Sequence, residues 1–273
     1  MAQPIKKQRG RPKSQFNQSS ASTLQSLDRA LGVLDALSRH RASSLTDIAI
    51  RLGIPTATTH RILTTLQKRR FAEFDEGTQN WMVGIEAYRV GTSFLKRTNL
   101  LDISRPVMRA LMESTGETAN LAVPDGAEVV FVGQVETQNP IRAFFNHGTR
   151  TSMHASGTGK AILAAMEETN ALRLMQTAGL EEFTSRTLVT AAALIEDLAL
   201  TRSRGWSFDQ EERFYGMSCI GAVIHDTLGE PIAGVSISGP SDRFEDRLID
   251  GFGTQVNRAA AEISASIGGA PRA

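Results

Sequence analysis

Ser43-Ser44-Leu45-Thr46-Asp47-Ile48-Ala49-Ile50-Arg51-Leu52-Gly53-Ile54-Pro55-Thr56-Ala57-Thr58-Thr59-His60-Arg61-Ile62-Leu63 is the stretch that decides the fold. Ser44 or Thr46 is suited to cap a helix, and Leu45, Ile48, Ala49 and Leu52 follow at helical spacing. Gly53 ends that short helix, because a left-handed residue is easily placed there. Pro55 opens the next helix, where its missing N–H costs little. The second of the pair spans about 56–69 and is expected to bury Ile62, Leu63 and Leu66. Two short helices joined by a tight turn have helix-turn-helix proportions.

The flanks agree with this. Leu24, Leu27, Leu31, Leu34 and Leu37 predict a helix over 24–41. On the other side, Phe71–Phe74 and Trp81–Gly84 flank the polar turn Asp75-Glu76-Gly77-Thr78-Gln79-Asn80. That pattern predicts a β-hairpin, and a hairpin behind a recognition helix is a wing. A linker helix follows over 85–98. Thr56, Thr58, Thr59, Arg61 and Thr65 crowd the 56–69 helix. Threonines are poor helix formers, so they add nothing to a purely structural helix. Short hydroxyls and one Arg suit a helix whose first turns enter the major groove. These five are the candidate DNA contacts of the 21–84 domain.

Charge points the same way. Residues 1–90 hold 14 Lys/Arg against 7 Asp/Glu, and the rest hold 16 against 22. A basic first third on an acidic body implies that the first third meets a polyanion. Residues 1–20 are polar and basic, which predicts a disordered tail. Arg9-Gly10-Arg11-Pro12-Lys13 within it resembles the core of an AT-hook. There Arg9 and Arg11 would enter a narrow A/T minor groove.

The remaining residues, 99–273, read as an α+β domain with a mainly antiparallel sheet. Helices are expected over 101–114, 157–166, 168–178, 191–204 and 241–267. Strands are expected over 118–123, 128–134, 141–145, 217–224 and 232–238. At 273 residues, 41% hydrophobic and 22% charged, the composition supports two ordinary globular cores. No apolar run approaches the ~20 residues that span a bilayer. The N-terminus carries no secretory signal pattern. The single cysteine, Cys219, excludes an internal disulfide and fits a reducing cytoplasm.

A ligand site is legible in the second domain. Gly157 and Thr158 stand where the chain enters a helix, and free backbone N–H groups there favour an anion. Ser236 and Ser238 alternate on a strand and share a face. Cys219 lies on another strand. The bland readings are backbone-bonded serines and a small buried thiol.

Three motif groups carry a resemblance. They are Met153-His154-Ala155-Ser156-Gly157-Thr158-Gly159-Lys160-Ala161, Gly205–Asp209 with Gly216–Ala222, and Ala233–Pro240. Together with the basic tail, the winged helix-turn-helix and the linker helix, they resemble the IclR-type regulators over about 24–267. The resemblance implies a GAF/profilin-like effector domain and assembly into homodimers or dimers of dimers. Glyoxylate-sensing members hold their ligand with a Gly-Ala backbone pair, an Asp, a Cys and two Ser. Those positions fall on Gly157, Thr158, Asp209, Cys219, Ser236 and Ser238. Thr158 departs from the Ala of the pattern, a change that leaves the backbone amides in place. The implied partners are double-stranded operator DNA and a small 2-oxoacid, glyoxylate before pyruvate. The implied targets are genes of two-carbon metabolism. No cofactor and no metal site are expected.

Other classes compete less well. Cys219, His154 and Asp209 are the residue types of a thiol hydrolase, but no nucleophile motif surrounds the cysteine. Gly157–Lys160 fails as a phosphate loop, since His154 stands at the first required Gly and Ala161 at the required Ser/Thr. The five histidines lack paired ligand spacing. An architectural DNA binder without a ligand would have no use for the acidic second domain. A sensor without DNA binding would have no use for the threonine-rich helix and wing.

Overall fold

The computed structural model describes residues 24–40, 42–95, 99–143 and 145–271. The AT-hook-like stretch with Arg9 and Arg11 lies outside the described residues. The chain divides into two compact units, Met1–Ser93 and Phe94–Ala273.

The first unit packs α1 (Gln25–Ser38), α2 (Leu45–Leu52) and α3 (Thr56–Lys68) against a small antiparallel sheet. Ser44 is the cap of α2, its hydroxyl accepting from the Asp47 N–H at 3.2 Å. Gly53 ends α2 at φ 61°, in the left-handed region. The wing pairs β2 (Ala72–Asp75) with β3 (Asn80–Val83). Its turn is held by the Asp75 carboxylate, which accepts from the Gly77 N–H at 2.8 Å and the Thr78 hydroxyl at 2.8 Å. A two-residue strand, β1 (Ser43–Ser44), adds to the far side of β3 and ties the entry of α2 to the wing. The core is Val33, Leu37, Ile48, Leu63, Ala72 and Trp81. Leu24, Leu27 and Leu31, three of the leucines that predicted the helix, are exposed. The packed stripe of α1 runs through Val33 and Leu37. Of the three residues expected to bury α3, Leu63 is fully buried and Ile62 and Leu66 are partly so. Helix α4 (Ile85–Leu95) follows the wing.

The second unit is built on a six-stranded antiparallel sheet in the order β6-β5-β4-β9-β8-β7. Its strands are β4 (Thr118–Asp125), β5 (Glu128–Val135), β6 (Arg150–Ser152), β7 (Ser207–Gln210), β8 (Met217–His225) and β9 (Pro231–Pro240). Helices α5 (Leu100–Thr115) and α9 (Asp246–Ser266) cover one face through Leu121, Ile220, Val235, Ile237, Val256 and Ile263. On the other face lie α6 (Gly157–Ala165), α7 (Glu168–Ala178) and α8 (Ala191–Arg204), packed on Ala122, Val129 and Phe131.

The strand expected over 141–145 is a correction: no described residue of that range is in a strand. The edge partner of β5 is Arg150–Ser152 instead. Gly148, at φ 84°, turns the chain back, and its N–H donates to the Phe131 carbonyl at 2.7 Å. Arg150 then reaches Glu128 at 2.7 Å and Asp125 at 2.6 Å on the neighbouring hairpin.

Candidate effector cavity and DNA-binding helix

On α3, Thr56, Arg61 and Thr65 are exposed and Thr58 is partly so. The Thr65 hydroxyl donates back to the Arg61 carbonyl at 2.7 Å. The expectation for Thr59 is corrected. Its side chain is fully buried, with its hydroxyl 3.3 Å from the Pro55 carbonyl, so it belongs to the core face of α3. Thr59 sits four residues before the buried Leu63, and such pairs share a helix face.

In the second unit the sheet register brings the expected ligand residues together from distant parts of the chain. Asp209 on β7 pairs with Cys219 on β8, which pairs with Ser238 on β9. The next row is Gly221, Ser236 and Asn120. Asp209, Cys219 and Ser238 form part of the wall of a small cavity of ≈ 30 Å³, closed on other sides by Phe131, Phe145, Arg213 and Met217. Phe131 and Phe145 stack with centroids 4.5 Å apart. Gly157, Thr158 and Ser236 do not form this wall. The Gly157 N–H faces the Cys219 sulfur. A Cβ on Gly157 would stand 2.8 Å from that sulfur, so only glycine admits this approach of α6 to β8. Thr158 and Ser236 are fully buried; the Thr158 hydroxyl has no hydrogen-bond partner among the described residues, and the Ser236 hydroxyl faces the Cys219 thiol. Ser238 accepts from the Asn120 side-chain amide at 3.3 Å, and Asn120 accepts from Gln134 at 2.9 Å.

Burial governs the electrostatics. It pushes the Cys219 thiol up to about 11, with the Asp209 charge adding to the effect. The Ser238 and Ser236 hydroxyls and the Gly157 N–H favour the thiolate and do not overcome it. Burial likewise lifts Asp209 to about 6, against the nearby Lys160 charge and the Glu212 N–H, which donates to its Oδ1 at 2.8 Å.

Sequence reasoning missed the charged centre behind this row. Lys160 is fully buried, its ammonium 2.6 Å from Glu212, 2.6 Å from the Phe208 carbonyl and 3.1 Å from Asp197. Burial opposes the ammonium, but the Glu212 and Asp197 charges outweigh it and raise its pKa. Burial pushes Glu212 upward, and the Lys160 charge holds it down in its ion pair. A lysine inside Gly-Thr-Gly-Lys-Ala-Ile-Leu-Ala, an otherwise uncharged helix, was the available signal. His154, the third residue type of the hydrolase alternative, bonds through Nε2 to the Glu181 carbonyl at 3.0 Å and does not line the cavity.

A winged helix-turn-helix unit joined in one chain to a sheet domain with a small cavity that Asp209, Cys219, Ser238 and Arg213 help to line defines a ligand-controlled transcriptional regulator. Residues 26–76 match the IclR helix-turn-helix domain and residues 92–265 the bacterial transcriptional regulator IclR C-terminal domain. The chain belongs to the IclR family of transcriptional regulators, and its members are not enzymes. It is 45% identical to the HTH-type transcriptional regulator BhcR of Paracoccus denitrificans, over 97% of this chain and 96% of that one. It is 41% identical to the transcriptional repressor IclR of Escherichia coli, over 98% and 99%. It is 39% identical to the acetate operon repressor of Salmonella typhimurium, over 98% and 99%. The crystal structure of the Thermotoga maritima IclR superposes with a TM-score of 0.75 at 28% identity, covering 90% of this chain and 100% of that one.

Proposed function

We propose that this regulator binds a pseudo-palindromic operator as a homodimer or dimer of dimers, and that a small 2-oxoacid, glyoxylate before pyruvate, sets its affinity for DNA. The observation that carries the ligand class is the row Asp209–Cys219–Ser238 on a cavity of ≈ 30 Å³. One water needs roughly 10–15 Å³ measured this way, so that space suits a molecule of few heavy atoms and not an aromatic acid. Gly157, Thr158 and Ser236 stand beside the row as backbone and hydroxyl groups that a modest rearrangement would bring to the ligand. The name of the Salmonella relative, an acetate operon repressor, favours targets in two-carbon metabolism.

Thr56, Thr58, Arg61 and Thr65 are the proposed groove contacts, with Arg9 and Arg11 adding minor-groove contacts from the tail. Dimer formation is supported by the apolar side chains left exposed on the first unit, Leu24 at the N-cap of α1, Leu27 and Leu31 on α1, and Ile85 and Tyr88 on α4. Such a regulator works in the cytoplasm, where the operator is. Ligand binding shifts the DNA-bound population only by its differential affinity for the two arrangements. Isothermal titration of the full chain with glyoxylate tests the reading. Saturable heat supports it. The absence of both heat and thermal shift at millimolar glyoxylate refutes the ligand.

A further inference from the structure

We propose that Arg213 is the carboxylate-binding residue of the cavity, and that Asp209 is a positioning residue that holds the turn on which Arg213 is presented. This deepens the reading of the cavity as a site for a small organic acid and rests on it.

Three observations converge on Arg213. It is the cation among the residues that form the cavity wall. Its Nε is buried and has no hydrogen-bond partner among the described residues. An unpaired buried donor is costly, and an acceptor brought to it by a bound ligand would relieve that cost. Its guanidinium carbon stands 3.6 Å from the centre of the Phe183 ring, a cation–π contact that holds the group from one side. A planar guanidinium matches the two oxygens of a carboxylate.

The backbone beneath Arg213 is held from both sides. The chain leaves β7 through Glu211 in a left-handed conformation, φ 62°. Asp209 accepts from the Glu212 N–H at 2.8 Å and also from the Arg213 N–H. The Glu211 carbonyl accepts from the Thr184 hydroxyl at 2.7 Å, and the Glu212 carbonyl from the Thr187 hydroxyl at 2.6 Å. The segment that supplies Thr184 and Thr187 also supplies Phe183. The Asp209 carboxylate is therefore engaged with its own turn, and an anion in the cavity meets Arg213 as its counter-charge. This answers why an acidic side chain stands beside the site of an acidic ligand. The ligand class is a compact monocarboxylate, with its carboxylate at Arg213 and its remaining oxygen toward Cys219 and Ser238.

The test is calorimetric titration of the full chain with glyoxylate, pyruvate and acetate, for wild type, Arg213→Met and Arg213→Lys. Arg213→Met is expected to weaken binding by about 30-fold or more, the usual scale for removing one partner of a desolvated charge pair. Arg213→Lys, which keeps the charge and loses the planar edge, is expected to fall between the two. Unliganded melting temperatures identify any variant that fails to fold, and Arg213→Lys then carries the comparison. Equal glyoxylate affinity in wild type and both variants overturns the role of Arg213 and keeps glyoxylate. Binding of pyruvate or acetate but not glyoxylate, lost in Arg213→Met, supports Arg213 and discards glyoxylate. No binding of any of the three acids to wild type overturns both.

Discussion

Lys160 and Glu212 meet at 2.6 Å with the lysine side chain wholly buried, 52 residues apart in sequence, on α6 and on the turn after β7. The pair joins α6 to the turn that supplies Arg213 to the cavity wall. Asp197 on α8 stands 3.1 Å from the same ammonium. One cation thus serves several buried carboxyl groups, and its removal would leave them without compensation.

Lys160→Met is expected to destabilise the folded chain by about 3–5 kcal/mol, the usual scale for breaking a buried ion pair from one side. Lys160→Met/Glu212→Leu, which removes both partners, should recover part of that loss. Urea denaturation of the three proteins checks this. A single variant as stable as wild type would show that the pair is not buried as described.

Asp209 carries a pH signature. Its folded pKa, about 6, lies above the ordinary aspartate value of 3.8, so between these limits the folded state holds more protons than the unfolded one. Its contribution to stability is therefore fully present below about pH 4 and is lost as pH rises through 6. The loss is on the order of 3 kcal/mol. Wild type should lose stability relative to Asp209→Asn between pH 4 and pH 6.5, and the difference should then level off. Parallel curves for the two proteins, measured by denaturant titration across that range, would contradict the assignment.

Cys219, raised to about 11 by burial, is a protonated thiol at neutral pH. Thiolate, not thiol, is the reactive form. The native protein should resist alkylation by iodoacetamide at pH 7.5 over hours and react within minutes once unfolded. Rapid labelling of the native chain, followed by mass spectrometry, would restore a nucleophilic role for this residue.

Arg61→Ala is expected to weaken operator binding by about tenfold or more while leaving effector affinity unchanged. Thr59→Val should keep operator affinity within about twofold, because Thr59 points into the core. Fluorescence anisotropy on operator DNA measures both. Equal affinity for Arg61→Ala, or a large loss for Thr59→Val at unchanged stability, would reverse the two assignments.

The helix-turn-helix was legible because its punctuation is local: Ser44 caps, Gly53 stops, Pro55 restarts, and each acts within one turn. The choice of face was harder. Leucines at 24, 27 and 31 have helical spacing, yet the core took Val33 and Leu37, since periodicity marks a stripe without saying what covers it. Thr59 was misread for the same reason. Strand β1 is two residues long, too short for any alternation to register. In the cavity, Asp209, Cys219 and Ser238 were legible through the family resemblance. Lys160, Glu212 and Arg213 were not, because nothing near them in sequence announces the partners that the fold brings from α8, from the turn after β7 and from the 183–187 segment.

The most direct test of the account is operator binding by the full chain, followed by anisotropy at physiological salt, with glyoxylate or acetate added. The DNA would come from upstream of its own and neighbouring genes. Specific binding whose affinity shifts with glyoxylate and not with acetate is the predicted result. Specific binding indifferent to glyoxylate at millimolar concentration would contradict the claim that this 2-oxoacid governs the regulator.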